Sequence, residues 1–183
     1  MRVVKTEIEG CLLIEPTIHC DARGYFFESF NARDFEQEMG FSPCFVQDNE
    51  SKSSYGVVRG LHYQLPPFAQ AKLVRVVKGR VWDVVVDIRK NSPTFGKYVA
   101  VELNEENHLQ CYMEKGLAHG FAVLSDEAVF QYKCDAYYAR QSEAAIAWND
   151  PQLNIPWPIP VDKMILSEKD QRHPFLGDAQ LFE

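Results

Sequence analysis

The middle of the chain alternates between apolar and polar positions with a period of two residues. In the segment "VWDVVVDI", residues 81–88, one face carries only apolar side chains, whereas the other carries two valines, Asp83 and Asp87. A period of two is typical of a β-strand, because successive side chains point to opposite faces. The segment is therefore predicted to be a strand whose second face is partly polar.

Similar short runs recur along the chain, at "CLLIEP", "GYFFESF", "CFVQDN", "VVRGLHYQ", "KLVRVV", "KYVAVEL" and "AVFQYKCDAYY". They are separated by segments typical of turns, such as "KG", "NSPTFG", "NEEN" and "EKG". Many short strands with frequent turns predict an all-β fold, either a sandwich, a jelly roll or a barrel.

One helix is predicted in the first half of the chain. Asn31 can cap the segment "ARDFEQEM", Phe35 and Met39 lie four residues apart on one face, and Gly40 can end the helix. The proline-rich tail has a second helical tendency at "SEKDQ". No linker, repeat or low-complexity segment divides the chain, so we expect one domain over residues 1–183.

Composition narrows the class of protein. Hydrophobic residues make up 46% of the chain, enough for a globular interior, and no stretch is long and apolar enough to span a membrane. Lys5, two glutamates and Gly10 interrupt the first ten residues, which is unlike a secretory signal, so a cytoplasmic location is expected. Five cysteines without a C-x-x-C pair argue against a disulfide framework or a zinc knuckle.

The formal net charge of -7 disfavours nucleic acid as a partner, because nucleic-acid binding needs a basic surface. An anionic small ligand stays compatible with this charge, since a few arginines and lysines can reverse the potential inside a cleft.

A polar set interrupts the apolar strands of residues 57–90. Arg59, His62, Lys72 and Asp83 are costly to bury unless they are paired, so they form either a solvated sheet face or a site, lining one wall of a cavity inside the fold. A single histidine on a strand is more often a hydrogen-bonded structural group than a catalyst. His119 is a second candidate, and the glycines around it predict a tight segment that lets a ligand or backbone approach.

The spacing of the histidines disfavours a metal-dependent cupin site. Such sites carry an H-x-H pattern followed by a carboxylate and a third histidine, whereas His62 is followed by Tyr63 and Gln64, with no carboxylate before Asp83. No metal is therefore expected.

Other residues admit a structural and a functional interpretation. Lys72 is either a lysine at a strand edge or a cation that stabilises an oxyanion. Tyr132 either packs in the core or donates a proton. Arginines and an amide-carboxylate triplet provide the donors and acceptors that suit a diphosphate and a base; these are Arg23, Arg59, Gln47, Asp48 and Asn49.

Several segments in the same order and spacing resemble the dTDP-4-dehydrorhamnose 3,5-epimerase family. They are "DARGYFFESFN", "FVQDNESKS", "RGLHYQ", "AKLVRVVKGRVWDVVVDIRKNSPTFGKY", "GLAHGF", "YKCDAYY" and "LSEKD", and together they extend from about residue 12 to about residue 172. The resemblance implies a metal-free jelly roll of the cupin type, with no cofactor. It also implies a homodimer in which the N-terminal strand region crosses to complete the partner's site.

The resemblance implies a substrate, a dTDP-4-keto-6-deoxysugar, and a role for each catalytic residue. His62 is expected to remove the proton next to the C4 ketone, with Asp170 holding its imidazole. Tyr132 is expected to return a proton from the opposite face, and Lys72 to stabilise the enolate. His119, oriented by Asp83, is expected beside the same oxygen.

The resemblance further implies contacts with the nucleotide, diphosphate and sugar from Arg23, Glu28, Gln47, Asp48, Asn49, Arg59, Glu143 and Lys169, with Tyr138 near the base. Arg23, Phe26 and Glu28 are expected to act on the ligand of the other subunit.

The chain departs from the family pattern at two places. It reads "DNES", with Glu50, where the family has "DNHS", and "MEKGLAHGF", with Glu114, Lys115 and Leu117, where the family has "IPxGFAHGF". The departures leave open inversion of C3 or C5 alone. A sugar-nucleotide binding protein without catalysis is a separate alternative, and the presence of His62, Asp170, Lys72 and Tyr132 argues against it.

Overall fold

The computed structural model describes residues 1–183 and is built mainly from antiparallel strands. The strands are β1 (Arg2–Lys5), β2 (Cys11–Glu15), β3 (His19–Asp21), β4 (Gly24–Phe26), β5 (Gln47–Ser54), β6 (Val58–Gln64), β7 (Lys72–Lys78), β8 (Arg80–Asp87), β9 (Tyr98–Asn104), β10 (Gln110–Met113), β11 (Leu117–Val123), β12 (Glu127–Cys134) and β13 (Glu143–Ala145). The helix α1 spans Ala32–Met39, and short 3-10 helices span Arg140–Ser142, Val161–Lys163, Asp170–Arg172 and Leu176–Asp178. The prediction of an all-β fold with a few short helices is confirmed.

Two sheets pack face to face. The six-stranded sheet has the order β1-β2-β10-β7-β12-β5, and the five-stranded sheet has the order β13-β6-β11-β8-β9. Between them lies a core of 14 buried residues, to which Val76 and Phe130 contribute from one sheet and Val81, Val85 and Phe121 from the other. Strands β3 and β4 form a separate hairpin. Burial of the two inner faces against each other is the main stabilising contribution to this architecture.

Strand β8 is buried on both faces, so its partly polar face is not solvated. Val84, Val86 and Ile88 pack beneath the C-terminal segment, which covers the outer side of the sheet. Asp83 and Asp87, on the opposite face, are also fully buried. Buried carboxylates need partners. Asp83 and Asp87 are therefore the positions on this strand where the fold buries an acidic side chain.

The predicted helix is confirmed at both ends. The side chain of Asn31 accepts a hydrogen bond from the backbone N–H of Arg33. Gly40 adopts a left-handed conformation with φ of 79° and closes the last turn on Glu36. Phe35 is buried, so the apolar face of the helix packs against the six-stranded sheet near Ile14 and Leu73.

Strands β10 and β11 were not predicted. The segment "LAHGFAV" is a strand in which every residue is buried, rather than a tight segment between two glycines. A strand buried on both faces loses the alternation on which strand prediction depends. Gly60 and Gly120 allow β6 and β11 to approach closely, because a Cβ atom on Gly60 would lie 2.5 Å from the Cα atom of Gly120.

The five cysteines are free thiols, as expected from their spacing. None of the helices has the length and apolar composition needed to cross a membrane.

Candidate active site

A cavity of about 310 Å³ opens between the two sheets. His62 reaches it from β6, Lys72 from β7 and Tyr132 from β12. Because β6 belongs to the five-stranded sheet and the other two strands to the six-stranded sheet, the prediction that Arg59, His62, Lys72 and Asp83 line one wall is wrong. His62 and Lys72 face the cavity from opposite sheets, and Arg59 and Asp83 do not line it. The lining residues are Gln47, Asn49, His62, Tyr63, Gln64, Gln70, Lys72, Tyr132, Cys134, Tyr138 and Glu143.

His62 and Asp170 form a hydrogen-bonded pair. Nε2 of His62 lies 2.6 Å from Oδ1 of Asp170, and the hydroxyl of Ser167 donates to the other carboxylate oxygen at 2.7 Å. Burial alone would raise the pKa of Asp170, but the hydrogen bonds from His62 and Ser167 lower it to about 2. The ionised carboxylate can only accept, so Nε2 of His62 carries the hydrogen, and Nδ1 is left as a lone-pair base.

A second histidine–aspartate pair lies deeper between the sheets. Nε2 of His119 is 2.7 Å from Oδ2 of Asp83, and both residues are buried. The other oxygen, Oδ1 of Asp83, is buried without a hydrogen-bond partner. Unpaired buried oxygens are costly. The charge of Asp83 also favours the protonated form of the nearby Lys72.

Lys72 and Tyr132 both have pKa values shifted by burial. Burial lowers the pKa of Lys72, while the nearby Cys134, Asp83 and Glu143 oppose the shift. Burial raises the pKa of Tyr132, and the nearby Arg59 cation opposes this only in part. The phenol is therefore held in its protonated form, as a proton donor requires.

The triplet of residues 47–49 is divided between two faces of β5. Gln47 donates to Asn49 at 2.8 Å and accepts from the backbone N–H of Tyr138 at 3.0 Å, so both amides border the cavity. The side chain of Asp48 lies on the opposite face, 2.8 Å from Nζ of Lys133. There it borders a second cavity, of about 210 Å³, on the outer side of the sheet.

Glu143 connects two other predicted binding residues at the mouth of the cavity. Its carboxylate accepts from the hydroxyl of Tyr138 at 2.9 Å and from Nζ of Lys169 at 2.5 Å. Burial would raise the pKa of Glu143, but these two donors lower it. Arg59 is exposed and donates to the hydroxyl of Ser53 at 3.1 Å. These polar side chains are available to a ligand that enters from solvent.

Arg23, Phe26 and Glu28 do not line the cavity of their own chain. They lie on or just after the β3–β4 hairpin, where Phe26 is 65% exposed and Arg23 pairs with Asp21 at 2.5 Å. Glu28 accepts a hydrogen bond from the side chain of Asn31.

The departures from the family pattern carry their own local partners. Glu114 pairs with Arg89, and Lys115 lies 3.0 Å from Asp135. Glu50 accepts from Gln131 at 2.7 Å. None of the substituted positions lines the cavity between the sheets.

Ser167 and His173 contact Asp170, although the sequence analysis assigned a role to neither of them. Ser167 lies in the segment "LSEKD" that carries the resemblance, and each residue stands three positions from Asp170. Nε2 of His173 lies 3.3 Å from Oδ1 of Asp170. His62, Asp170 and His173 offer potential metal-ligand atoms within 4.8 Å of one another, but here they are joined by hydrogen bonds.

Comparisons with known proteins point to one family. A family model described as dTDP-4-dehydrorhamnose 3,5-epimerase matches residues 5–178. The dTDP-4-dehydrorhamnose 3,5-epimerase of Shigella flexneri is 53% identical over 182 residues, which cover 100% of this chain and 99% of the relative.

Solved structures agree with the sequence matches. The dTDP-4-dehydrorhamnose 3,5-epimerase of Elizabethkingia anophelis superposes with a TM-score of 0.93 at 56% identity, covering 97% of each chain. The dTDP-6-deoxy-D-glucose-3,5-epimerase of Legionella pneumophila, solved in complex with dTDP-4-keto-L-rhamnose, superposes with a TM-score of 0.92 at 48% identity, covering 97% of this chain and 93% of that one.

Proposed function

The chain belongs to the dTDP-4-dehydrorhamnose 3,5-epimerase family, and we propose that it converts dTDP-4-dehydro-6-deoxy-D-glucose into dTDP-4-dehydro-L-rhamnose by inverting C3 and C5. Membership confirms the resemblance found in the sequence and the jelly-roll fold class. The observation that carries the proposal is a cavity where His62 faces Tyr132 and Lys72 from the opposite sheet. Such a site has a base, an acid and a cation around one ligand.

The first step is removal of a proton by His62. The ketone at C4 acidifies the hydrogens on both neighbouring carbons, so Nδ1 of His62 takes a proton from C3 or C5. The electron pair of the broken C–H bond moves to the C4 oxygen and forms an enolate. Asp170 stabilises the resulting imidazolium and holds the required tautomer, at a distance of 2.6 Å.

The second step is return of a proton to the other face of the same carbon. The phenol of Tyr132 supplies this proton, and its position across the cavity from His62 supports the inversion. Lys72 stabilises the negative charge on the C4 oxygen between the two steps, together with His119. The tyrosinate then regains a proton from solvent and His62 releases one, so both groups are ready for the second carbon.

The nucleotide occupies the polar mouth of the cavity in this proposal. Tyr138 contacts the base, and the remaining binding residues contact the diphosphate and sugar; these are Gln47, Asn49, Arg59, Glu143 and Lys169. Asp48 is not part of this set, since its side chain lies on the other face of β5, 2.8 Å from Nζ of Lys133.

We also propose a homodimer that completes each site. Arg23, Phe26 and Glu28 lie away from the cavity of their own chain and are presented to solvent on a short hairpin. A guanidinium and an aromatic ring exposed in this way suit a diphosphate and a base bound by a second subunit. The hairpin therefore crosses to the partner.

The test is incubation with dTDP-4-dehydro-6-deoxy-D-glucose in deuterated water, reduction of the ketone, and location of deuterium by NMR. Deuterium at C3 and C5 with L-rhamno product is the expected result. Deuterium and inversion at only one carbon would replace the proposal with a single-centre epimerase. Absence of deuterium, despite nucleotide binding, would indicate a binding protein, and the His62→Ala variant provides the exchange-deficient reference.

A further inference from the structure

The carboxylate of Asp170 is shared between two imidazoles. Oδ1 lies 2.6 Å from Nε2 of His62 and 3.3 Å from Nε2 of His173. The rings of the two histidines meet edge to face, with their centroids 5.5 Å apart. Oδ2 is occupied separately by the hydroxyl of Ser167. Oδ1 of Asp170, which orients the proposed base His62, therefore has a second hydrogen-bond partner in His173.

His173 contacts Asp170 as a donor. The carboxylate is ionised, since its pKa is about 2, and an ionised carboxylate can only accept hydrogen bonds. Nε2 of His173 must then carry a hydrogen, as Nε2 of His62 does. Two N–H groups on one oxygen divide its hydrogen-bonding capacity between them.

His173 stays uncharged in this environment. Its side chain is only 9% exposed, and burial together with the neighbouring His62 lowers its pKa, against the opposing effect of Asp170. Lys169 adds a further positive charge nearby. The other titratable groups around the adjacent crevice, of about 270 Å³, are Tyr63, Glu143 and Asp178.

We propose that His173 is a positioning residue, whose neutral imidazole donates to Oδ1 of Asp170 and so weakens the hold of that carboxylate on a proton at His62. The inference rests on the proposed function of His62 as the base. A hydrogen bond from His173 withdraws electron density from the oxygen that stabilises the His62 imidazolium. Without this donor, Asp170 interacts more strongly with His62 alone.

The consequence concerns proton release. A base that inverts two carbons in succession must lose the first proton before it takes the second. A carboxylate dedicated to His62 would stabilise the imidazolium strongly and delay that loss, whereas a carboxylate that also accepts from His173 stabilises it less. The ring of His173 also restricts the His62 ring by its edge-to-face contact.

Two variants of His173 separate the effect of its N–H donor from the effect of its ring packing against His62. His173→Phe retains an aromatic ring beside His62 but removes the N–H donor, and His173→Gln retains a neutral donor. His173→Leu is a second donor-free variant in case the phenylalanine does not fold. The measurement is the titration of the His62 imidazole by NMR in the resting protein, followed by the acid limb of kcat/KM.

The expected result is an upward shift of the His62 titration by roughly half to one pH unit in His173→Phe. His173→Gln should titrate close to the wild type. An unchanged titration in both donor-free variants, or an equal shift in His173→Gln, would overturn the inference even if activity falls. The NMR titration needs no turnover. Its result therefore tests the role of His173 independently of whether the enzyme inverts C3 and C5.

Discussion

Nε2 of His62 lies 2.6 Å from Oδ1 of Asp170, although the two residues stand 108 positions apart in the chain. His62 is carried by β6, whereas Asp170 begins a 3-10 turn in the C-terminal segment. The same segment packs against the outer side of the five-stranded sheet through Ile146, Leu153 and Leu176. Docking of this segment is therefore what brings the carboxylate to the imidazole.

Asp170→Asn should lower kcat/KM by about 10²- to 10⁴-fold while leaving dTDP binding nearly unchanged. The amide cannot stabilise an imidazolium and can present its N–H₂ group to Nε2, which would select the wrong tautomer. Steady-state kinetics and calorimetric titration with dTDP measure the two effects. Asp162→Asn, at an exposed position of the same segment, is the control. Similar kcat/KM values in the two variants would contradict the assigned role.

Tyr132→Phe should retain exchange of a substrate proton with solvent but lose most of the net inversion. His62 still removes the proton in this variant, but the phenyl ring cannot return one from the opposite face. Deuterium incorporation measured beside the yield of L-rhamno product distinguishes the two events. Tyr137→Phe, at a side chain that is 68% exposed, should behave as the wild type. Full double inversion by Tyr132→Phe would remove the phenol from the mechanism.

Lys72→Met should reduce kcat/KM by about 10²- to 10³-fold, because the enolate loses the cation nearest to its oxygen. Burial lowers the pKa of Lys72, so the loss of wild-type activity at high pH should begin below the range of an exposed lysine. That alkaline limb should be absent from the variant. Pre-steady-state rates across the alkaline range test both statements. Lys78→Met, at the exposed end of the same strand, should preserve the alkaline limb. Persistence of that limb in Lys72→Met would refute the assignment of Lys72 as the enolate-stabilising cation.

Asp87→Asn should destabilise the fold by about 3 kcal/mol, because it breaks a buried ion pair. Asp87 is fully buried and lies 2.8 Å from Arg89, with further hydrogen bonds from Ser92 and Thr94. Burial raises the pKa of Asp87, but these donors overcome that effect and lower it to about 2. The folded state therefore gains stability from this group above its usual pKa, and loses it as the pH falls from about 4 to about 2.

Urea unfolding at several pH values checks this acid dependence. The difference in the free energy of unfolding between wild type and Asp87→Asn should be largest near neutrality and should shrink below about pH 4. Because Asp87 does not line the cavity, the folded variant should keep its kcat. A difference that stays constant down to low pH would contradict the role of the ionised carboxylate.

Mixing two inactive variants should restore activity if the hairpin serves the partner's site. Arg23→Ala damages only sites that receive its hairpin, and His62→Ala damages only its own cavity, so each mixed dimer has one intact site. Random reassociation of equal amounts should recover about a quarter of wild-type activity. Recovery after unfolding and refolding the mixture is the measurement. No recovery, while native mass spectrometry detects mixed dimers, would show that Arg23 acts within its own chain.

Local features of the fold were accessible from sequence because they depend on neighbouring residues. Asn31 and Gly40 delimit the helix through capping and a left-handed turn, which need no tertiary contact. Strands with one partly exposed face, such as β12, preserve the alternation of apolar and polar residues that predicts them. Strand β11 does not, since both of its faces are buried.

The candidate site was accessible in part, and mainly by resemblance. The motif containing His62 and the segment containing Asp170 were assigned to one dyad by that route, whereas spacing alone left His62 as an ordinary strand histidine. His173 was missed because its contact with Asp170 depends on the conformation of an irregular segment. Periodicity carries no information about such a segment.

By itself the sequence determined the class of fold, the helix and its caps, and, through its motifs, the family and the chemistry that the family performs. Those properties follow from local backbone preferences, hydrophobic periodicity and residue identity. Only the tertiary structure decided that His62 and Lys72 face each other from different sheets, that Asp48 lies outside the cavity, and that Asp170 serves two imidazoles. These relationships arise from sheet order, strand orientation and the docking of a distant segment, all of which are set by packing between parts of the chain that are remote in sequence.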